Sequence, residues 1–214
     1  MAPRAAVFDF NGTLSDDEPL LYSIYAEMFA ANDRPLTQRQ YIDELAGNSE
    51  EEIIGRWLGH DRPDLHELVA ERIDRYRVAA SDGATVYPEV RDAVRFTAAR
   101  MPVAIVSGAA RQEIVPVVDA AGLTPLLAGI VAADDVTHGK PHPEGYLRAL
   151  ALLGDGIRAE EVIVFEDTEV GVASAKAAGM RCVGITRTLG AARLAAADEL
   201  IDAIDLAAVE RLLA

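Results

Sequence analysis

The 214-residue sequence predicts an α/β fold: a parallel β-sheet covered by helices on both faces, with a small all-helical unit inserted after the first strand. Three observations predict it. Short β-branched apolar runs recur between helical patterns. Those runs are apolar at successive residues rather than alternate ones, as in strands buried on both faces. The stretch from about Asp16 to Gly83 carries helical periodicity and no clear strand pattern.

The predicted strands are Ala5 to Phe10, Val103 to Ser107, Gly129 to Ala132, Val162 to Phe165 and Cys182 to Ile185. Helices are expected at Glu89 to Arg100, Arg111 to Ala121, Pro143 to Leu153 and Glu169 to Ala178. Gly122 and Gly179 stand just past two of them, where a left-handed cap residue is wanted. Within the insertion, helices are expected at Glu18 to Ala31, Thr37 to Leu45, Ser49 to Leu58 and Asp64 to Ala80. Thr37 and Ser49 are suited to N-caps, and Ser49 with Glu52 fits a capping box. Residues 1–15 with 84–214 then make the core, and 16–83 the helical insertion. The alanine-rich tail from Ala191 reads as two short helical pieces around Glu199-Leu200-Ile201, a candidate edge strand.

Composition narrows the function classes. Hydrophobic residues make up 50% and charged residues 26%, and no window reaches the apolar length of a membrane span. The first ten residues lack the three-part pattern of a secretion signal, so a cytoplasmic location is the default expectation. A formal charge of −15, with the 20 Lys and Arg scattered, argues against nucleic acid as a partner. A monomer or weak dimer is expected. The single cysteine, Cys182, excludes an internal disulfide and a cysteine metal cluster, and its apolar neighbours mark it as core.

Ligands in open parallel sheets bind beyond the carboxyl ends of the strands. The polar groups there are Asp9 with Asn11, Ser107 with Gly108, Lys140 in the loop after the third strand, and Glu166-Asp167. A carboxylate in such a place can attack phosphorus, and phosphoryl transfer needs a hard cation with hydroxyl, amide and lysine donors around the transferred group. Asp9 is the candidate nucleophile. Asp9, the main-chain carbonyl of Asn11 and Asp167 are candidate Mg2+ ligands, with Glu166 behind them. Lys140, Ser107 and Gly108 are candidate phosphate-binding groups, and Lys140 offsets repulsion between Asp9 and Asp167.

The segments DFNGTLSDDEPL, IVSGA, HGKPHPEGYL and VFEDTEVGVASAKAAGM, in this order and each at a strand end, resemble the four motifs of the haloacid dehalogenase superfamily. The resemblance covers essentially the whole chain and is nearest to the β-phosphoglucomutase and phosphoglycolate phosphatase subgroup. It implies a Rossmann-like core, a mobile helical cap after the first strand, magnesium, and hydrolysis of a small phosphorylated metabolite through an aspartyl-phosphate at Asp9.

One residue departs from that pattern. The family's phosphatases and mutases carry an acid-base aspartate two residues after the nucleophile, where this chain has Asn11. An amide cannot protonate a leaving group, and general acid-base help is worth roughly 10² to 10⁴ in rate. Three readings follow: a slow or selective phosphatase that acts on good leaving groups such as acyl phosphates, or borrows Asp16, Asp17 or Glu18 as acid; a protein that binds a phosphorylated ligand, with a regulatory role and little turnover; or an introduced substitution. The Schiff-base lysine of a phosphonatase is missing, since residues 16–83 contain no lysine. A β-phosphoglucomutase-like mutase is a further alternative, weakened because Glu50 stands where a cap arginine is expected and Arg56 lies on the following helix. Asn48 and Asp16 are the candidate cap contacts, each with a plain structural role beside it: a helix-start turn for Asn48 and helix capping for Asp16. Tyr22, Tyr25, Phe29 and Trp57 read chiefly as cap packing. His138 and His142 read as loop residues around Lys140 rather than a zinc pair.

Overall fold

The computed structural model describes residues 2–214. Strands β1 (Ala5–Phe8), β2 (Val103–Val106), β3 (Gly129–Val131), β4 (Val162–Glu166), β5 (Arg181–Ile185) and β6 (Glu199–Ile201) form one six-stranded sheet in the order β3-β2-β1-β4-β5-β6. Every pairing is parallel. The helices are α1 (Glu18–Ala31), α2 (Gln38–Gln40), α3 (Glu50–Leu58), α4 (Leu65–Ala79), α5 (Pro88–Ala98), α6 (Arg111–Ala120), α7 (Glu144–Leu152), α8 (Glu169–Ala177) and α9 (Leu206–Leu213). This is the Rossmann-like α/β architecture that the buried-strand pattern implies. Among the described residues no helix is long and apolar enough to cross a membrane.

β1 is apolar at every position because both of its faces are covered. Ala6 and Phe8 point into a cluster with Val90 and Val94 of α5, Ile114 and Val117 of α6, and Val209 of α9. Ala5 and Val7 point the other way, toward Tyr146 of α7 and Val172 of α8. The register pairs Phe8 with Ile105 on one side and Phe165 on the other, and the Phe8 and Phe165 rings stack at 4.6 Å. The chain leaves β1 through α1–α4, fills β2 and β3 on one side, and crosses to β4 on the other. The strand order therefore reverses at β1, and the crevice for a ligand opens at its carboxyl end.

The segment from α1 to α4 contains no strand among its described residues. Its apolar positions, including Tyr25, Phe29, Leu45, Ile54 and Tyr76, join the cluster beneath β1. Three details depart from the expected elements. The stretch Thr37 to Leu45 is not one helix: α2 is followed by a π-helical turn, Tyr41–Leu45. The wider turn buries Tyr41 and Leu45 together and lets the Tyr41 hydroxyl donate to Glu18 at 2.9 Å. The full capping box is that of Thr37 and Gln40. Ser49 forms half of one, because the Glu52 carboxylate goes to Arg56 Nε at 2.5 Å, a charge-assisted pair that outcompetes a neutral amide. In the tail, Ala191 to Ala197 is a series of turns instead of a helix. Leu194 is buried there, and the Asp198 carboxylate accepts the Cys182 amide at 2.7 Å and Lys176 at 2.5 Å, which holds the chain against the sheet ahead of β6.

Candidate active site

The Asp9 amide donates to the Phe165 carbonyl at 2.9 Å, which carries the ladder one residue past β1 and sets Asp9 at the strand end. The Ser107 amide does the same with Val131 at 2.9 Å. Glu166 closes β4, and Asp167 follows it. Lys140 arrives from the loop before α7: Nζ donates to Asp9 Oδ1 at 2.5 Å and also to Glu166 Oε1. Parallel pairing thus brings together Asp9, Ser107, Lys140, Glu166 and Asp167 from four separate stretches of chain.

Glu166 is fully buried and its carboxylate is saturated. Oε1 accepts from Lys140 and from the Tyr146 hydroxyl at 2.8 Å, and Oε2 accepts from the Asp167 and Thr168 amides and the Thr168 hydroxyl. Space for it comes from Gly171 in α8, where a Cβ would lie 1.9 Å from the carboxylate carbon. Gly171 thereby admits the group that holds Lys140.

Asp9, Glu166 and Asp167 present carboxylate oxygens within 4.8 Å of one another. Burial, with Glu166 adding its charge, pushes the Asp9 carboxyl up to about 7 against the pull of Lys140. Burial and the Asp9 and Glu166 charges raise Asp167 well above the carboxylate range. For Lys140, burial favours loss of the proton, but Asp9 and Glu166 outweigh it and the ammonium stays charged. One lysine among three buried carboxylates leaves an excess of negative charge. The Oδ2 atom of Asp167 is buried without a hydrogen-bond partner. Gly12, at φ +70°, keeps the space beside it open, since a Cβ there would lie 2.0 Å from that oxygen. An unpartnered carboxylate oxygen, a glycine-lined gap and oxygen donors alone fit a hard divalent cation.

Asn11 is not free. Its Nδ2 donates to Asp17 Oδ2 at 2.8 Å, and its Oδ1 accepts from Ser107 Oγ at 3.4 Å. Asp17 is fully buried and also accepts from the Tyr76 hydroxyl and, at 3.2 Å, from the Gly12 amide. Burial raises its carboxyl in spite of those donors. Asp17 stands at the N-cap of α1, but its side chain makes no cap hydrogen bond there.

A cavity of about 510 Å³ opens over Asp9, Asn11, Ser107, Gly108 and Lys140. Glu18, Tyr25, Tyr41, Asn48, Glu50 and Arg72 line it from the helical segment. Asn48 reaches it while its Nδ2 caps the Leu45 carbonyl at 2.8 Å. Asp16 does not line it and instead faces Arg187 at 3.6 Å. Arg56 does not line it either, being engaged with Glu52. His138 and His142 come together, with rings 4.7 Å apart, although no helix joins them. Glu144 clamps their loop by accepting the Thr137 and His138 amides at 3.1 and 3.0 Å, which steadies the approach of Lys140.

Sequence reasoning missed Arg72, Glu113 and Tyr146. Arg72 of α4 is buried, pairs with Glu113 at the start of α6, and lies 3.4 Å from Glu50. A signal was present: Leu65, Leu68, Arg72 and Tyr76 share one buried helical face, and an arginine in such a stripe requires a carboxylate partner.

Burial and the nearby Asp17 charge push Glu18 up to about 7 from 4.5, opposed by Tyr41 and Arg72. The native state thus keeps a proton that the unfolded chain releases at lower pH. That contribution to stability is complete below the unfolded value and is lost as pH rises through 7. The melting temperature is expected to fall by a few degrees from roughly pH 5 to 8, and Glu18→Gln to flatten part of that slope in calorimetric scans. A variant with an unaltered slope would contradict the assignment.

A family model described as haloacid dehalogenase-like hydrolase matches residues 3–179. The chain is 30% identical over 204 residues to validoxylamine A 7'-phosphate phosphatase of Streptomyces hygroscopicus subsp. limoneus, covering 92% of each. It is 27% identical over 192 residues to phosphoglycolate phosphatase of Pseudomonas putida, covering 86% of this chain and 70% of the relative. Among solved structures it is similar to CbbY from Rhodobacter sphaeroides in complex with xylulose-(1,5)bisphosphate, with a TM-score of 0.81, 26% identity and 95% coverage of each chain. With the parallel sheet, the strand-end carboxylates and a match running from β1 past α8, the chain belongs to the haloacid dehalogenase-like hydrolase family.

Proposed function

We propose that this hydrolase is a phosphatase of small phosphorylated molecules, with Asp9 as nucleophile and Mg2+ as cofactor. The observation that carries the reading is the buried set of Asp9, Glu166 and Asp167, in which Lys140 bridges Asp9 and Glu166 and one oxygen of Asp167 is unpartnered. Asp9, Asp167 and the Asn11 main-chain carbonyl would hold the ion, and bound there it neutralises charge on the phosphoryl oxygens. Glu166 acts one step back by fixing Lys140.

In this reading an Asp9 carboxylate oxygen attacks phosphorus, the bond to the leaving oxygen breaks, and water then cleaves the aspartyl-phosphate to return the carboxylate and inorganic phosphate. Lys140 orients and balances the transferred group, and Ser107 Oγ and the Gly108 amide donate to its oxygens. The helical segment from α1 to α4 serves as the cap that excludes water, with Asn48 on its substrate side. Of the acids weighed as substitutes for Asn11, Glu18 lines the cavity whereas Asp16 and Asp17 do not. A carboxyl pushed up to about 7 is suited to proton transfer near neutrality. The named activities of the relatives, on validoxylamine A 7'-phosphate and phosphoglycolate, support the reaction class.

A second reading, ligand binding with little turnover, rests on Asn11, both of whose polar atoms are already engaged. Phosphate release from p-nitrophenyl phosphate and acetyl phosphate separates the two. Multiple turnover with Mg2+, lost on chelation with EDTA and restored by added Mg2+, is expected. A rate indifferent to chelation would overturn the metal assignment, and ligand-induced stabilisation without any turnover would establish the second reading.

A further inference from the structure

The cavity is asymmetric in charge. Its lining carries the carboxylates Asp9, Glu18, Glu50 and Glu51 and the permanent cations Lys140 and Arg72. Both cations are already neutralised: Lys140 by Asp9 and Glu166, Arg72 by Glu113 and Glu50. Beside Lys140 a divalent ion would restore positive charge for a phosphoryl group. At the end formed by the helical segment nothing does so. Arg72 shares two carboxylates, Glu51 adds a third, and no lysine exists anywhere in residues 16–83. The same end holds an unsatisfied donor and acceptor, because the Tyr25 hydroxyl is buried, lines the cavity and has no hydrogen-bond partner. The Nε of Arg72 is likewise buried and unpartnered. The Arg72 guanidinium lies 5.6 Å from the Tyr25 ring, so both groups sit together at this wall of the cavity, where a hydroxylated ligand can reach them.

We propose that the end of the cavity bounded by Glu50, Glu51 and Tyr25 receives a hydroxylated, amine-bearing group, so that the substrate class is amino-substituted polyol monophosphates rather than bisphosphates or phosphorylated carboxylic acids. An ammonium placed there meets net negative charge and can donate to Glu50 or to the Tyr25 oxygen, while neighbouring hydroxyls of the ligand accept from Arg72 Nε. A carboxylate or second phosphate in the same position faces Glu50 and Glu51 with no free cation to meet it, and like-charge juxtaposition in a partly desolvated site is strongly unfavourable. Glu50 is thereby a specificity-determining residue: it both occupies Arg72 and supplies the charge. The inference rests on the phosphatase reading for the orientation of the ligand, phosphate toward Asp9 and amine toward Glu50.

The test compares three probes on one scaffold: glucosamine 6-phosphate, glucose 6-phosphate and 6-phosphogluconate. Their dissociation constants are measured by calorimetric titration of the unmodified chain with calcium in place of magnesium, and phosphate release with magnesium is followed separately. Glucosamine 6-phosphate is expected to bind about tenfold more tightly than glucose 6-phosphate, and 6-phosphogluconate about tenfold more weakly, the size of one partly desolvated charge pair. Glu50→Gln should shrink the amine-to-neutral ratio to within about threefold. Glu51→Gln, at an exposed position in the first turn of α3, should shrink it in the same direction. Equal affinities, no binding of the amine, or preference for the carboxylate would overturn the inference. Because binding is read without turnover, failure of the charge order and failure of the phosphatase reading are seen in different measurements.

Discussion

Replacing Asp9 with asparagine is expected to lower phosphate release by at least about 10³-fold while leaving the fold intact or more stable. The two effects have one cause. Asp9 is only 5% exposed and shares its surroundings with Glu166 and Asp167, so its charge is costly in the metal-free protein. An amide of the same shape removes one of three crowded carboxylates and keeps a hydrogen-bonding atom for Lys140. It cannot attack phosphorus. Turnover with p-nitrophenyl phosphate and melting temperature in EDTA, measured on the same preparation, give the two readings. A variant retaining more than a few per cent of the rate would end the nucleophile assignment, and a large drop in melting temperature would show that Asp9 is needed for packing. Opposite signs on activity and stability are the mark of a functional group held in an unfavourable place.

The second large effect concerns Asn11→Asp. Restoring a carboxyl at this position is expected to raise the rate on phosphate esters by roughly 10² to 10⁴, the usual range for general acid-base help. Little change is expected on acetyl phosphate, whose leaving group needs no proton. The cost arises from Asp17. Asn11 donates to it at 2.8 Å, so the substitution sets two carboxyls against each other at a fully buried position. Such a pair cannot ionise twice, and one proton is retained between them. That retained proton is what an acid catalyst requires, but it comes with a lower melting temperature above neutral pH. Adding Asp17→Asn restores a donor and should recover the melting temperature. If ester turnover in Asn11→Asp equals that of the unmodified chain, the missing aspartate is not what limits the reaction, and Glu18 or a different chemistry takes its place.

The candidate site was legible to the extent that it follows from strand ends. Asp9, Ser107 and Glu166 each terminate an apolar run, and parallel strands buried on both faces show their limits clearly. Lys140 was legible as a loop lysine, although its pairing with Glu166 as well as Asp9 was not. Asn48 was read as a contact or a turn residue; it lines the cavity and caps the preceding turn at once. Asp16 was read as a cap contact, yet Arg187, distant in sequence, draws it outward. Capping at Ser49 was half right because a favourable i,i+4 charge pair competed for Glu52.

The identity of the fold, the reaction family and the floor of the site are local properties of the chain, since periodicity reports which faces are buried and where each element stops. The occupant of a buried polar position is not local. Arg72 meets Glu113 across the boundary between the helical segment and the core, Tyr146 reaches Glu166 from another helix, and the Asn11 amide donates to Asp17 from the cavity wall. Each of these depends on a side chain finding its partner after the elements have packed. A buried polar group left alone is expensive, so the packed arrangement selects the pairs. Asp9 could be placed by reading the chain in order; the charge of the cavity above it could be known only once the helices of the insertion had folded over the sheet.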